Sequence, residues 1–240
     1  MIATALKTDD VKLLPPCVAG IGSQTGQDPA ACAGEGQCPA GLHCHVRRLA
    51  RHQHAFLQND AQTQVYWVNR GVMRLYKSLS NGRRQIVGFA FPGDFIGLGP
   101  AQKYQFSAQA VSVTELRVTP KVAFEAIAGV HADFSCKLYE AVSLDLLRAY
   151  DLALTVGQRN SEASLATFLL DMQARAPDGA PADVISLPMP RADIADYLGV
   201  TTETVSRTFS KFVRRGLIQM QRRRTVRLLD RPAMEQLAEG

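Results

Sequence analysis

No stretch of this chain approaches the roughly 20 consecutive apolar residues that cross a bilayer. Residues 1–10 hold two aspartates and two threonines, with none of the apolar run of a secretory signal. The expectation is a cytoplasmic protein that makes no use of a membrane. Enzyme signatures are missing too: there is no phosphate loop, no Gly-x-Ser-x-Gly elbow and no His-Glu-x-x-His pair. The histidines gather at His43, His45, His52 and His54 with no matching acid or nucleophile. Five cysteines in 240 residues are an odd number in a chain too large to need disulfides for a core, which excludes a disulfide framework. With 46% hydrophobic and 20% charged residues, a disordered or collagen-like chain is excluded as well.

What is present is unevenly placed. The net charge is only +5, from 27 Lys plus Arg against 22 Asp plus Glu. Arg207, Lys211, Arg214, Arg215, Arg222, Arg223, Arg224 and Arg227 all fall near the C-terminal end, however. Such a cluster suits a polyanion, because each neutralised phosphate releases condensed counterions. Cys17, Cys32, Cys38 and Cys44 crowd into the first fifth of the chain, where grouped thiols raise the question of a metal or a redox role. Cys136 stands apart and reads as a small buried hydrophobe.

Residues 1 to about 40 show no periodicity, and residues 1–50 read as a flexible, cysteine-containing arm. Residues 51–130 read as a β-roll. From Gln64 onward Val65, Trp67, Val72, Leu75, Ile86, Gly88 and Phe91 are spaced as strand residues. Turn signals separate them at Asn69-Arg70-Gly71, Ser80-Asn81-Gly82 and Phe91-Pro92-Gly93-Asp94, and a strand-rich run follows from Phe106 to Thr119. Over residues 131–156 the period changes: Tyr139, Val142, Leu146, Ala149 and Ala153 follow one another at steps of three and four. So narrow a stripe on so long a helix is a seam for a second copy of the chain, and a homodimer is expected.

Residues 157–240 read as a winged helix-turn-helix. In PRADIADYLGVTTETVSRTFSKFVRRGLI, Ile194, Ala195 and Leu198 mark a short amphipathic helix that Gly199 ends, a position suited to positive φ. Thr201 or Thr202 caps the next helix, with Glu203 in its first turn. Val205, Phe209 and Phe212 turn that helix onto the core, and Gly216 closes it. Two short helices joined this way place the second in the major groove of double-stranded DNA. Thr202, Glu203, Ser206 and Arg207 are then the base-reading face: arginine bonds guanine O6 and N7 in parallel, and glutamate accepts from cytosine N4. Met220 to Asp230 reads as a β-wing, and Lys211, Arg222, Arg223 and Arg224 are expected on phosphate.

The order of roll, long helix and winged helix-turn-helix, with FAFPGDFIGL and DIADYLGVTTETVSRTF, resembles the cyclic-AMP receptor/fumarate-nitrate regulator superfamily of bacterial transcription factors. The resemblance runs from about Gln64 to the C-terminus. Glu203, Ser206 and Arg207 match the Glu-x-x-Ser-Arg motif of its fumarate-nitrate regulator and FixK branches, and GVMRLYKSLSNGRRQIVGFAFPGDFIGL is similar to the FixK branch. The resemblance implies an α+β fold, a homodimer, TTGA-type palindromic operators, oxygen-limitation or nitrogen-fixation genes, and an activator that contacts RNA polymerase. Cyclic AMP is not expected: where the family's binders carry an Arg-Ser pair on the cyclic phosphate, this chain has Phe106-Ser107, and its Gly-acid turn is Gly93-Asp94. An oxygen-labile [4Fe–4S] cluster on Cys32, Cys38 and Cys44 is the alternative the resemblance offers. Its fourth ligand position aligns with Arg117, which cannot bind iron. The expectation is therefore a regulator without a cofactor, whose Cys38 and Cys44 are open to oxidation.

Overall fold

The computed structural model describes residues 36–38, 42–80, 82–157, 160–176, 179–222 and 224–239. Among the described residues nine strands come first: β1 (Gly36–Cys38), β2 (Leu42–Leu49), β3 (His54–Phe56), β4 (Gln64–Arg70), β5 (Met73–Ser78), β6 (Arg84–Ala90), β7 (Phe95–Ile96), β8 (Ser107–Ala110) and β9 (Thr114–Pro120). They form two antiparallel sheets, one ordered β1-β2-β9-β4-β7 and the other β3-β8-β5-β6. Phe56, Tyr66, Val68, Met73, Leu116 and Val118 pack between the sheets. This is the expected roll.

Local chemistry sets its corners. Pro92 and Gly93 occupy the middle of a turn closed by Asp94 N–H donating to Phe91 O at 3.0 Å, with Gly93 at φ +99°. Gly82 (φ +77°) sits in the hairpin loop joining β5 to β6. The Asn69-Arg70-Gly71 turn has a different job, since β4 and β5 belong to different sheets. There Gly71, at φ +86°, passes so close to β9 that a Cβ would lie 2.5 Å from Thr114 Oγ1 and Val113 O. The Phe106–Thr119 run likewise splits into β8 and β9, one in each sheet.

The expected arm of residues 1–50 is corrected over its last part. Leu42–Leu49 is strand β2, laddered from His45–Val118 to Leu49–Thr114 along β9, so it belongs to the roll. Residues 1–35 lie outside the described part of the chain.

After β9 come α1 (Lys121–Val130) and α2 (Ala132–Gly157), the latter 26 residues or about 39 Å long at 1.5 Å per residue. Phe124 and Phe134 cover Val65 on the outer face of β4. That explains why Val65, Tyr66, Trp67 and Val68 are all buried and β4 shows no alternation of burial. The remainder is α3 (Ser161–Ala174), β10 (Val184–Ser186), α4 (Arg191–Leu198), α5 (Thr202–Arg214), β11 (Ile218–Arg222), β12 (Thr225–Leu228) and α6 (Arg231–Glu239). Strands β10, β12 and β11 pair as a small antiparallel sheet. The α+β architecture of roll, long helix and winged helix-turn-helix is the one the sequence implies.

One apolar cluster crosses between the two ends of the chain. Val72, Ile86, Phe89 and Val111 of the roll share a core with Leu165 and Phe168 of α3, Ile194 of α4, Phe209 and Phe212 of α5, and Met234 of α6.

Candidate nucleic-acid interface

Helix α4 ends on Gly199, whose φ of 69° is left-handed and whose N–H donates to Ala195 O. Two residues later Thr201 caps α5: its Oγ1 accepts from Thr204 N–H at 3.1 Å. Of the two threonines expected as caps, Thr201 has the role, and Thr202 is the first helical residue. Val205, Phe209 and Phe212 are buried, while Thr202, Glu203, Ser206 and Arg207 are exposed along the opposite side. The four base-reading candidates therefore share one face of one helix. Arg207 Nη2 and Glu203 Oε1 lie 2.5 Å apart, so each fixes the other's reach. Ser206 Oγ donates to Thr202 O at 2.8 Å, which leaves its lone pairs outward.

The flank of α5 is basic but partly engaged. Lys211 pairs with Glu162 on α3, and Arg215 reaches the same carboxylate at 3.0 Å. Lys211 is thus tethered to α3, with its side chain still about half exposed. Arg224 is exposed beside the turn of the wing. The backbone of Arg222 ends β11; its side chain and the whole of Arg223 lie outside the described residues. The wing gains a third strand that the sequence did not announce. Ile185 and Val226 lie opposite each other in β10 and β12, and the Arg227–Asp183 ion pair braces the edge. Hydrogen bonding from Arg227 holds the Asp183 carboxyl below the usual carboxylate range.

Arg191 also escaped the sequence reading. Its guanidinium lies 3.2 Å from the centroid of the Phe209 ring, and Nη2 is 3.7 Å from Met220 Sδ. One cation thereby joins α4, α5 and the wing. Burial lowers its pKa to about 10, so it remains charged at neutral pH. No sequence pattern marks it, because an arginine at a helix start reads as solvent-facing.

On α2 the expected seam is largely open to solvent. Tyr139, Val142 and Leu146 are exposed, as are Leu147 and Tyr150, which extend the stripe. Ala149 is exposed as well, and the Ala153 side chain lies outside the described residues. Val142 and Ala149 also border a cavity of about 310 Å³ whose other walls include Phe89, Phe95 and Ile96 of the roll. Cys136, expected to be buried, is exposed on this helix.

The positions that would serve a cyclic nucleotide are otherwise occupied. Asp94 Oδ2 accepts from Phe91 N–H at 2.9 Å and pairs with Arg175 at 3.0 Å. Ser107 Oγ is buried and accepts from Gln58 N–H at 2.9 Å. Phe106 packs 6.0 Å from Phe56.

For an iron–sulfur cluster, Cys17 and Cys32 lie outside the described residues and Cys38 is described only by its backbone. Cys44 lies opposite Gly36 and Cys38 opposite Leu42, so the two cysteines are not a directly facing pair. Arg117, at the fourth ligand position, is buried on β9 with its guanidinium 5.5 Å from the Trp67 ring centroid. A buried guanidinium stacked on an indole presents a positive charge and no thiolate, so the residues present do not fit a cluster closed through the roll. Among the described residues no three His, Cys, Asp or Glu side chains converge on a metal position.

Residues 46–131 match the model of the cyclic nucleotide-binding domain, and residues 163–237 match that of the Crp-like helix-turn-helix domain. The chain is 42% identical over 185 residues to the nitrogen fixation regulation protein FixK of Bradyrhizobium diazoefficiens, covering 76% of this chain and 77% of the relative. It is 37% identical to the transcriptional activatory protein AadR of Rhodopseudomonas palustris, over 73% of this chain and 77% of that one. The solved structure of FixK2 from Bradyrhizobium japonicum superposes with a TM-score of 0.76 at 34% identity, over 82% of this chain and 98% of that one. With these relatives and this exposed recognition helix, the chain is a transcription regulator rather than an enzyme, and it belongs to the FixK-like branch of the CRP/FNR family.

Proposed function

We propose that the chain acts as a homodimeric activator that binds TTGA-type palindromes, contacts RNA polymerase and needs no cofactor to bind DNA. The observation that carries this reading is the row of Thr202, Glu203, Ser206 and Arg207 on the open side of α5, held there by the Thr201 cap and the buried Val205, Phe209 and Phe212. A G·C pair offers partners to both charged residues: guanine O6 and N7 to the Arg207 fork, and cytosine N4 to the Glu203 carboxylate. Lys211, Arg222, Arg223 and Arg224 are the phosphate-side cations in this scheme, setting affinity and salt dependence more than sequence.

The exposed Tyr139, Val142, Leu146 and Tyr150 on α2 support a two-fold dimer. Two recognition helices about 34–36 Å apart then meet successive major grooves on one side of the duplex. The names of the relatives point to genes of nitrogen fixation, and we extend this to other genes of oxygen limitation. The Arg175–Asp94 pair and Phe106 speak against cyclic AMP as effector. The buried Arg117 speaks against a cluster on Cys32, Cys38 and Cys44.

The test is binding of air-purified, metal-free protein to a duplex carrying TTGAT-N4-ATCAA, against a scrambled duplex at two salt concentrations. Specific binding under these conditions is the expected result. Binding that appears only after anaerobic reconstitution with iron and sulfide would refute the cofactor-free reading and make the N-terminal cysteines ligands. Equal binding to both duplexes would refute the operator.

A further inference from the structure

The roll and the helix-turn-helix meet through a buried ionic junction that DNA reading itself does not require. Asp193, in the first turn of α4, is fully buried. Arg74 on β5, 5% exposed, brings Nη1 to 2.9 and 2.7 Å from the two Asp193 oxygens. Arg84 on β6 spans two acids of α4: Nη2 is 2.9 Å from Asp193 Oδ1 and Nε 3.1 Å from Asp196 Oδ2. The neighbouring Gln85 donates to Asp196 O at 2.5 Å, and Arg74 Nε donates to Gln109 Oε1 on β8 at 2.9 Å. Two strands of one sheet, β5 and β6, thus grip both turns of an eight-residue helix while β8 braces Arg74, and α5 follows that helix after a three-residue turn.

We infer that Asp193 is a positioning residue: with Arg74 and Arg84 it fixes the angle of the recognition helix to the roll, and so the half-site spacing the protein accepts. The inference rests on the dimeric, palindrome-reading function proposed above. Apolar packing of Ile86 and Phe89 against Ile194 and Leu198 is non-directional and tolerates sliding. A carboxylate shared by two guanidiniums has one good geometry. A buried ion pair is a weak source of net stability, and fixing register is its best-attested use. The geometry makes an angular error costly. One base pair changes a half-site by about 3.4 Å and about 34–36° around the duplex axis, so the helices of a rigid dimer cannot follow it.

The experiment measures affinity for TTGAT and ATCAA half-sites separated by three, four or five base pairs, and for a single half-site, with the full chain. The first variant is Arg74→Met/Asp193→Leu, an apolar exchange of the buried pair of the kind that folded proteins tolerate. Circular dichroism and a cooperative urea transition check its fold. The second, Arg84→Gln, cuts only the partly exposed arm of the junction. The unsubstituted protein should prefer the four-base-pair spacer by about tenfold or more. The double variant should keep its single half-site affinity while that preference falls to about threefold or less, and Arg84→Gln should fall between the two. A folded double variant with the full preference would overturn the inference; should it not fold, an unchanged preference in Arg84→Gln would do the same. No spacing preference in the unsubstituted protein would overturn the palindrome reading and this inference together.

Discussion

Thr201→Ala takes from α5 the side-chain oxygen that accepts Thr204 N–H at 3.1 Å. The first turn of a helix has no internal partners for its amides, and a lost cap costs about 1 kcal/mol, within a range of about 0.5–2 kcal/mol. Thr201 is exposed, so water solvates the freed amide and no burial penalty is added. The expected loss is therefore about 1 kcal/mol by urea unfolding with an unchanged slope, or about 2–4 °C in Tm for a chain of this size. Thr201→Asn should restore most of it, because asparagine caps as well as threonine. The same turn carries Thr202 and Glu203, so Thr201→Ala should also weaken operator binding more than binding to random duplex. The account of the α5 start is refuted if the alanine variant is as stable as its parent within about 0.3 kcal/mol, or if alanine and asparagine are equally damaging.

Four further outcomes follow. Arg207→Ala should cost about 1–3 kcal/mol of operator binding and relax preference at one base pair in a competition assay; uniform weakening on all sequences would remove it from base reading. Phe212→Ala, at a fully buried site, should cost about 3–5 kcal/mol of stability in urea. Gly71→Ala meets both a φ of +86° and contacts of 2.5 Å with Thr114 Oγ1 and Val113 O, and should lower stability by at least about 1–3 kcal/mol. His54 supplies the pH test. Burial, and then the Arg74 cation, hold its imidazole below 6.5, so the unfolded chain takes up the proton first. Its contribution to stability is full above about pH 6.5 and declines as pH falls through the lower folded value. Urea midpoints of His54→Gln, compared with the parent between about pH 5 and 8, should show a flatter acid limb.

The helix-turn-helix was largely legible because its signals are local. Gly199 at positive φ, a threonine cap and three apolar residues on one side of α5 are consecutive in the chain, and each has a mechanism that needs nothing distant. The Gly82 hairpin and the Pro92-Gly93 turn were legible for the same reason. Strand β2 was not, since of its six residues from Cys44 only Leu49 is buried and histidine and arginine dominate the rest; pairing with β9 makes it a strand. Arg74 and Asp193 are 119 positions apart, and each alone reads as a surface charge. Helix α6 is nine residues long with one buried residue, Met234, too little apolar periodicity to show before the fold supplies its neighbours. Arg117 was legible as a departure from the family pattern; its stacking on Trp67 was not.

Under the proposed dimer, the exposed apolar stripe on α2 would make protein dose a regulatory variable. Where most chains are single, dimer concentration follows the square of monomer concentration, so halving the pool cuts the operator-competent species about fourfold. A promoter served by such a dimer would respond with a threshold, and the proposed cofactor-free reading would then need no ligand to supply the steepness. Substitutions at Tyr139 or Leu146 that loosen the stripe would move that threshold rather than the sequence preference of α5. For a dimer of that kind, the rate at which the chain is made and destroyed would act as the signal.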